Sequence, residues 1–186
     1  MSELKLLTIC GSLRAESFNR KLLAEAVAQF DQAEVSDANL RLPLFDADLQ
    51  IAHGIPPEVE TLAQQIRDAD GIILSSPEYN KGITGVLKNA LDWISRVEGQ
   101  VLKDKPIAIM SAANGRGGGE TGQYMLRACL APLQPRLIHG PFVLIAAASQ
   151  EFKTGSLEND RYRGAVKSLM DNLHTDILRS QTLNAV

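Results

Sequence analysis

Ser75-Ser76-Pro77-Glu78-Tyr79-Asn80-Lys81-Gly82-Ile83-Thr84-Gly85-Val86-Leu87-Lys88-Asn89-Ala90-Leu91-Asp92-Trp93 is the stretch around which the rest of the chain is arranged. It follows Gly71-Ile72-Ile73-Leu74, a short β-branched run with the character of a buried strand, and it leads into a segment with helical periodicity. A strand, a polar turn and a helix in that order put the turn at the carboxyl edge of a sheet, where open α/β sheets bind ligands. Pro77 fixes its own φ and pushes Ser76 into an extended conformation, so the turn is expected to be stiff. Gly82 and Gly85 are expected to permit tight or closely approaching backbone. Between them and the strand, Glu78, Tyr79 and Asn80 offer an acceptor, a flat amphipathic ring and an amide that donates and accepts. These are suitable walls for a flat ring rich in heteroatoms.

The 186 residues and 45% hydrophobic content fit one domain, residues 1–186, with a substantial core. A net charge of -3 provides no bulk attraction to nucleic acid or anionic lipid, so an anion site has to be local and the partner small. No apolar stretch approaches the roughly 20 residues of a membrane span, and residues 4–10 are too short and wrongly flanked for a signal peptide. A cytoplasmic protein without membrane insertion is expected. Cys10 and Cys129 have neither paired spacing nor metal-ligand company, and read as small buried hydrophobes in a reducing compartment.

Residues 4–10 form a second strand-like run, followed at once by Gly11-Ser12-Leu13-Arg14-Ala15-Glu16-Ser17-Phe18-Asn19. Leu22, Leu23, Ala26, Val27 and Phe30 then keep helical spacing, with Ser17 in the N-cap position. The loop therefore faces free backbone N–H groups and the positive end of a helix dipole, and Ser12, Arg14, Ser17 and Asn19 add side-chain donors. Each of these residues alone is ordinary on a capped helix. Four donors behind one strand end suit a phosphate.

The remaining segments supply the scaffold. A second strand is expected over 33–40 and a structural loop over 41–54, whose Asp46, Asp48 and His53 lack the closing glutamate and glycine of a calcium loop. Helices are expected over 56–69, 86–96, 121–130 and 159–179, and further strands over 106–110 and 142–147. Trp93 reads as a core or interface residue. Gly117, Gly119 and Gly122 formally match a dinucleotide-binding G-x-G-x-x-G, but they lie outside the first βα unit and no acidic residue stands about 20 positions onward. A mobile glycine loop explains them better. Five strands alternating with five helices imply an α/β fold, a five-stranded parallel sheet covered on both faces and flavodoxin-like if its order is 2-1-3-4-5. In that order the loops after strands one, three and four converge.

These motifs resemble those of the NADPH-dependent FMN reductases, including bacterial quinone and chromate reductases. Residues 11–19 are similar to the family's G-S-x-R-x-x-S-x-N, while Pro77-Glu78-Tyr79-Asn80 and Gly85-Val86-Leu87-Lys88-Asn89-Ala90-Leu91-Asp92-Trp93 resemble its P-E-Y-N and G-x-L-K-N-A-x-D-W. The resemblance implies a cytoplasmic FMN enzyme using NADPH or NADH, with a small-molecule electron acceptor and a homodimeric or homotetrameric state. It implies that Ser12, Arg14, Ser17, Phe18 and Asn19 hold the phosphate end and that Pro77, Glu78, Tyr79 and Asn80 flank the isoalloxazine. The third loop departs from the pattern, with Ala112 and Ala113 where many members carry glycine or proline. Ser111, Asn114 and Gly115 are the residues that would reach the flavin there, and Arg116 is an addition suited to a nicotinamide dinucleotide phosphate. No side chain need transfer a proton, because a bound flavin carries the chemistry.

Two other functions compete. A flavodoxin-like carrier would bind FMN without turning over nicotinamide, but such carriers usually have a Thr-rich phosphate loop and an acidic docking surface. A cysteine phosphatase would use Cys10 with Arg14, yet only Gly11, Ser12 and Leu13 separate them, too few to wrap a phosphate. The physiological acceptor is left open by the sequence.

Overall fold

The computed structural model describes residues 3–30 and 32–184. Strand β1 (Leu4–Cys10) runs inside the sheet between β2 (Ala33–Asp37) and β3 (Gly71–Ser75), parallel to both. Next to β3 lies β4 (Pro106–Ala112), whose far side pairs with β5 (Arg136–Leu137) near its start and with β6 (Val143–Ile145) near its end. The order β2-β1-β3-β4-β5, all parallel, is 2-1-3-4-5, the order that makes the alternating α/β fold flavodoxin-like.

The strand sequences explain why both faces are covered. Leu7, Ile9, Ile72, Leu74, Ile107 and Ile109 point to one face, where α3 (Pro57–Asp68), α4 (Gly85–Ile94) and α5 (Glu120–Leu130) pack. Leu6, Cys10, Ile73, Ala108 and Met110 point to the other, under α1 (Phe18–Gln29) and the long α7 (Asp160–Asn184). Successive residues of a strand alternate faces, so a run apolar at every position needs helices on both sides. Each fully buried Leu or Ile in these clusters contributes roughly 1.5–3 kcal/mol relative to exposure.

Three expectations are corrected. The fifth strand, expected over 142–147, is the shorter β6, and an unexpected two-residue β5 precedes it, separated from it by Gly140, with φ +47°, and Pro141, which has no N–H for a ladder. The segment over 41–54 is not all loop, since α2 (Ala47–His53) forms behind Asp46, whose Oδ1 accepts from the N–H groups of Asp48 (2.9 Å) and Leu49 (3.4 Å). None of the α2 residues is buried, which is why no apolar stripe announces it. A further short helix, α6 (Ala148–Glu151), follows β6. The second strand ends at Asp37, three residues sooner than expected. Trp93 is 2% exposed, donates from Nε1 to the Pro43 carbonyl (2.8 Å) and meets Phe45 edge-on, a core role. Among the described residues no helix is long and apolar enough to cross a membrane.

Candidate functional site

Because the strands are parallel, the carboxyl ends of β1, β3 and β4 lie at one edge, and α1, α4 and α5 begin there. Ser17 has the extended backbone of an N-cap (φ -72°, ψ 128°), yet its hydroxyl makes no capping bond. It is 4% exposed, and its Oγ meets only the Cys10 thiol, at 4.0 Å. The first N–H groups of a helix have no intrahelical acceptor, which leaves those of Phe18 and Asn19 pointing out of the helix start. No acidic residue occupies the first turn of α1, and the loop's own carboxylate, Glu16, pairs with Lys21 at 3.5 Å. Ser12 is buried, its Oγ accepting weakly from the Arg14 N–H (3.4 Å). Arg14 is exposed; it donates from Nη2 to the Glu16 carbonyl (3.0 Å), and its guanidinium lies 5.9 Å from the centre of the Phe18 ring.

The loop after β3 is a tight turn. Tyr79 and Gly82 exchange backbone bonds (3.0 and 2.9 Å) around Asn80 at φ +50° and Lys81 at φ +66°, the pattern of a type I′ turn. The left-handed backbone of the turn falls on Asn80 and Lys81. Gly82 admits the close approach expected of it, the Met125 sulfur standing where it would lie 3.3 Å from a Cβ, whereas Gly85 has open space. Tyr79 is half exposed, Asn80 exposed and Pro77 half-buried, all at the rim. Glu78 turns away from the opening: Oε2 accepts from the Gly122 N–H (3.0 Å) and Oε1 lies 3.3 Å from Lys81 Nζ.

Two side chains repair the sheet where its strands part. Gly11 N donates to Ser75 O (2.8 Å), and a continuing parallel ladder would bring the N–H of residue 77 to Gly11 O. Pro77 has none, and the Thr84 hydroxyl, which also caps α4 by accepting from Leu87 N, donates to Gly11 O instead (2.7 Å). On the other side of β3, Ser76 N donates to Met110 O (3.2 Å), after which the ladder stops. Ala112 then bonds to Asn19 at both backbone groups: N–H to Oδ1 (2.9 Å) and C=O from Nδ2 (2.8 Å). Ser75 Oγ donates to the same Oδ1 (2.8 Å). Asn19 is 2% exposed.

The loop after β4 has an open half and a closed half. Asn114, Gly115, Arg116 and Gly117 are exposed, with Asn114 Oδ1 accepting from Ser149 N (2.8 Å). Gly118 and Gly119 have φ of +58° and +94°, and a Cβ on them would stand 2.7 Å from the Leu144 carbonyl carbon and 2.8 Å from Ser111 Cβ. A Cβ on Gly122 would press on Glu78 at 3.2 Å. These glycines are required by close packing, a correction to their reading as a merely mobile run. Ser111 is fully buried: its hydroxyl donates to Gly118 O (2.6 Å) and accepts from Gln123 Nε2 (3.1 Å), which also donates to Val143 O (2.9 Å). Ser111 therefore shapes the loop rather than facing the opening. Gln123 and Thr84 were missed in the sequence. Gln123 was visible only as a polar residue on the inward face of α5, and Thr84 as a hydroxyl residue just before a helix.

A cleft of about 650 Å³ at the opposite edge has charged walls, two of whose cations are engaged within the protein. Arg136 pairs with Asp176 (2.9 Å), and Lys105, whose pKa burial pulls below the ordinary lysine value, donates to the Ala69 and Arg67 carbonyls.

Residues 4–150 match the family model described as NADPH-dependent FMN reductase. The chain is 37% identical over 184 residues to an NAD(P)H-dependent FMN reductase of Pseudomonas aeruginosa, covering 95% of this chain and 97% of that one. It is 40% identical over 164 residues to a quinone reductase of Escherichia coli K12, covering 86% and 82%. Among solved structures it superposes on FerB, a flavoenzyme NAD(P)H:(acceptor) oxidoreductase from Paracoccus denitrificans, with a TM-score of 0.77 at 26% identity over 93% of this chain and 98% of that one. Fold order, loop chemistry and similarity along nearly the whole chain agree: it belongs to the NADPH-dependent FMN reductase family and is an NAD(P)H-dependent oxidoreductase.

Proposed function

We propose that this chain holds FMN across the carboxyl edge and passes electrons from NAD(P)H to quinones, metal oxyanions or similar small acceptors. The observation that carries the reading is the start of α1: a buried Ser17 hydroxyl in cap position that caps nothing, beside free N–H groups and Arg14, with no acid in the first turn. That donor set fits a phosphate dianion. Bound FMN would supply the redox chemistry, accepting hydride equivalents from the nicotinamide and releasing electrons to the acceptor. In this reading Ser12, Arg14, Ser17 and the N–H groups of Phe18 and Asn19 anchor the phosphate. Pro77, Tyr79 and Asn80 border the ring, Glu78 fixes their turn against α5, and Gly115 lets the third loop come close.

Arg116, exposed on the open half of the third loop, is assigned to the phosphates of an arriving NADPH. Arg116→Ala is expected to raise KM for NADPH several-fold, more than for NADH, with FMN occupancy unchanged; unaltered KM at low salt, where screening is least, would remove that role. Tyr124, Met125 and Phe142 are exposed beside this edge, and Leu44, Leu49 and Ile51 form a second exposed apolar group around α2. They support a homodimer or homotetramer, which a monomer in sedimentation at micromolar concentration would refute. A cytoplasmic location suits the two free cysteines.

The purified protein is expected to show a flavin spectrum that bleaches with NADPH without oxygen and returns on adding a benzoquinone. A yellow protein that NADPH does not bleach would leave an electron carrier, and failure to take up FMN would overturn the assignment.

A further inference from the structure

We propose that Asn19 is a positioning residue: its amide stands in for the strand that Ala112 lacks, sets the gap between the exits of β3 and β4, and takes no part in holding the phosphate. The proposal rests on the flavin-binding reading above. The motif around Asn19 suggests a phosphate donor, and its place in the first turn of α1 agrees. The side chain does something else. Oδ1 has two lone pairs, and they are taken by Ala112 N–H (2.9 Å) and Ser75 Oγ (2.8 Å). One Nδ2 proton goes to Ala112 O (2.8 Å). A single N–H is left, on a side chain 2% exposed whose orientation the other three bonds fix.

In a parallel ladder a residue's N–H and C=O are served by the two peptide groups that flank its partner on the next strand, and here one side-chain amide serves both. It does so where that partner is missing, just beyond the last β3 to β4 bond, from Ser76 N to Met110 O. Ser75 leads directly into Ser76 and Pro77, and Ala112 directly into the exposed loop of Asn114 to Gly117. One amide therefore joins the roots of the two loops that border the ring. Its own backbone N–H lies at the phosphate end, so residue 19 links both ends of the site through different atoms.

The test compares FMN with riboflavin, which has the ring but no phosphate. In Asn19→Ala, dissociation constants for both flavins are expected to rise about tenfold or more and by factors equal within about twofold, since a buried amide network is lost rather than a phosphate contact. The visible band of the bound flavin should also change shape, as its ring environment loosens. A loss at least about tenfold greater for FMN than for riboflavin would overturn the proposal. In Asn19→Asp, riboflavin affinity is expected to recover as pH falls, because burial favours the neutral carboxyl and that group offers the donor and acceptor of the amide. Riboflavin binding by this variant that ignores pH would overturn the proposal.

Should neither variant fold, the wild-type protein decides by nuclear magnetic resonance. When riboflavin replaces bound FMN, the Asn19 side-chain amide signals should stay in place while the backbone N–H signals of Phe18 and Asn19 move. Movement of the side-chain signals would return Asn19 to the phosphate. A wild type that takes up neither flavin would overturn the functional reading and this proposal together, whereas the other adverse results overturn this proposal alone.

Discussion

The starts of α1 and α5 are two versions of one device, a helix beginning behind a buried parallel strand, and they are finished in opposite ways. At α1 there is no acid in the first turn, the cap hydroxyl is uncommitted, and the nearest loop carboxylate pairs with a lysine. At α5 the chain brings its own anion: Glu78 accepts from Gly122 N, and Glu120 stands in the first turn. A helix start attracts negative charge in either case. It becomes a ligand site only where the protein declines to fill it. The glycine-rich run at α5, which imitates a dinucleotide fingerprint, is therefore a closed structural joint, and the less conspicuous loop at α1 is the one left open for the anion we propose.

The comparison can be broken most forcefully at Gly119. Its φ of +94° and the 2.8 Å approach of a Cβ to Ser111 mean that Gly119→Ala should lower stability by about 2–4 kcal/mol through strain and overpacking. Thermal unfolding would register this as a fall of several degrees. A variant as stable as the wild type would show that the α5 start is not tightly joined.

Arg14→Ala tests the open helix start. FMN binding is expected to weaken by about tenfold to a hundredfold, roughly 1.5–3 kcal/mol for a charge-assisted bond, while riboflavin is scarcely affected. Equal weakening of both flavins in a fluorescence titration would take Arg14 out of the phosphate site.

The smallest effect is expected at Glu78. Glu78→Gln keeps an acceptor for Gly122 N but removes the charge, so stability should fall by about 0.5–1.5 kcal/mol, and less in high salt. Denaturant unfolding at two salt concentrations would measure it. If the ratio of FMN to riboflavin affinity also dropped, the carboxylate would have to be counted among the groups serving the phosphate site.

The parts of this molecule legible in its sequence are those whose causes are local. The apolar runs of β1, β3 and β4, the loop after β1 and the turn with its following helix each declare themselves within about one helix length of sequence. α2 was hidden because it buries nothing, leaving only the Asp46 cap as a sign. β5 stays hidden because it is only two residues long, cut off from β6 by Gly140 and Pro141, too short to show a periodicity. The sequence shows Asn19 only as a donor, because its partners, Ser75 and Ala112, lie 56 and 93 residues away. Gly122 looks like conformational freedom in the sequence, whereas Glu78, 44 residues earlier, makes it a fit. Sequence proximity reveals which groups are available, and the fold decides which of them are already engaged.

Pro77 and Thr84 carry a consequence for how such a chain can change over generations. With Pro77 present, the Gly11 carbonyl depends on the Thr84 hydroxyl; with a residue that has an N–H at 77, the backbone itself could serve it. Losing Thr84 first would strand a buried carbonyl, a loss of about 1–3 kcal/mol. Losing Pro77 first would merely make the hydroxyl redundant there. The two positions are thus not free to drift in either order, and lineages leaving this arrangement should pass through the proline change before the threonine change.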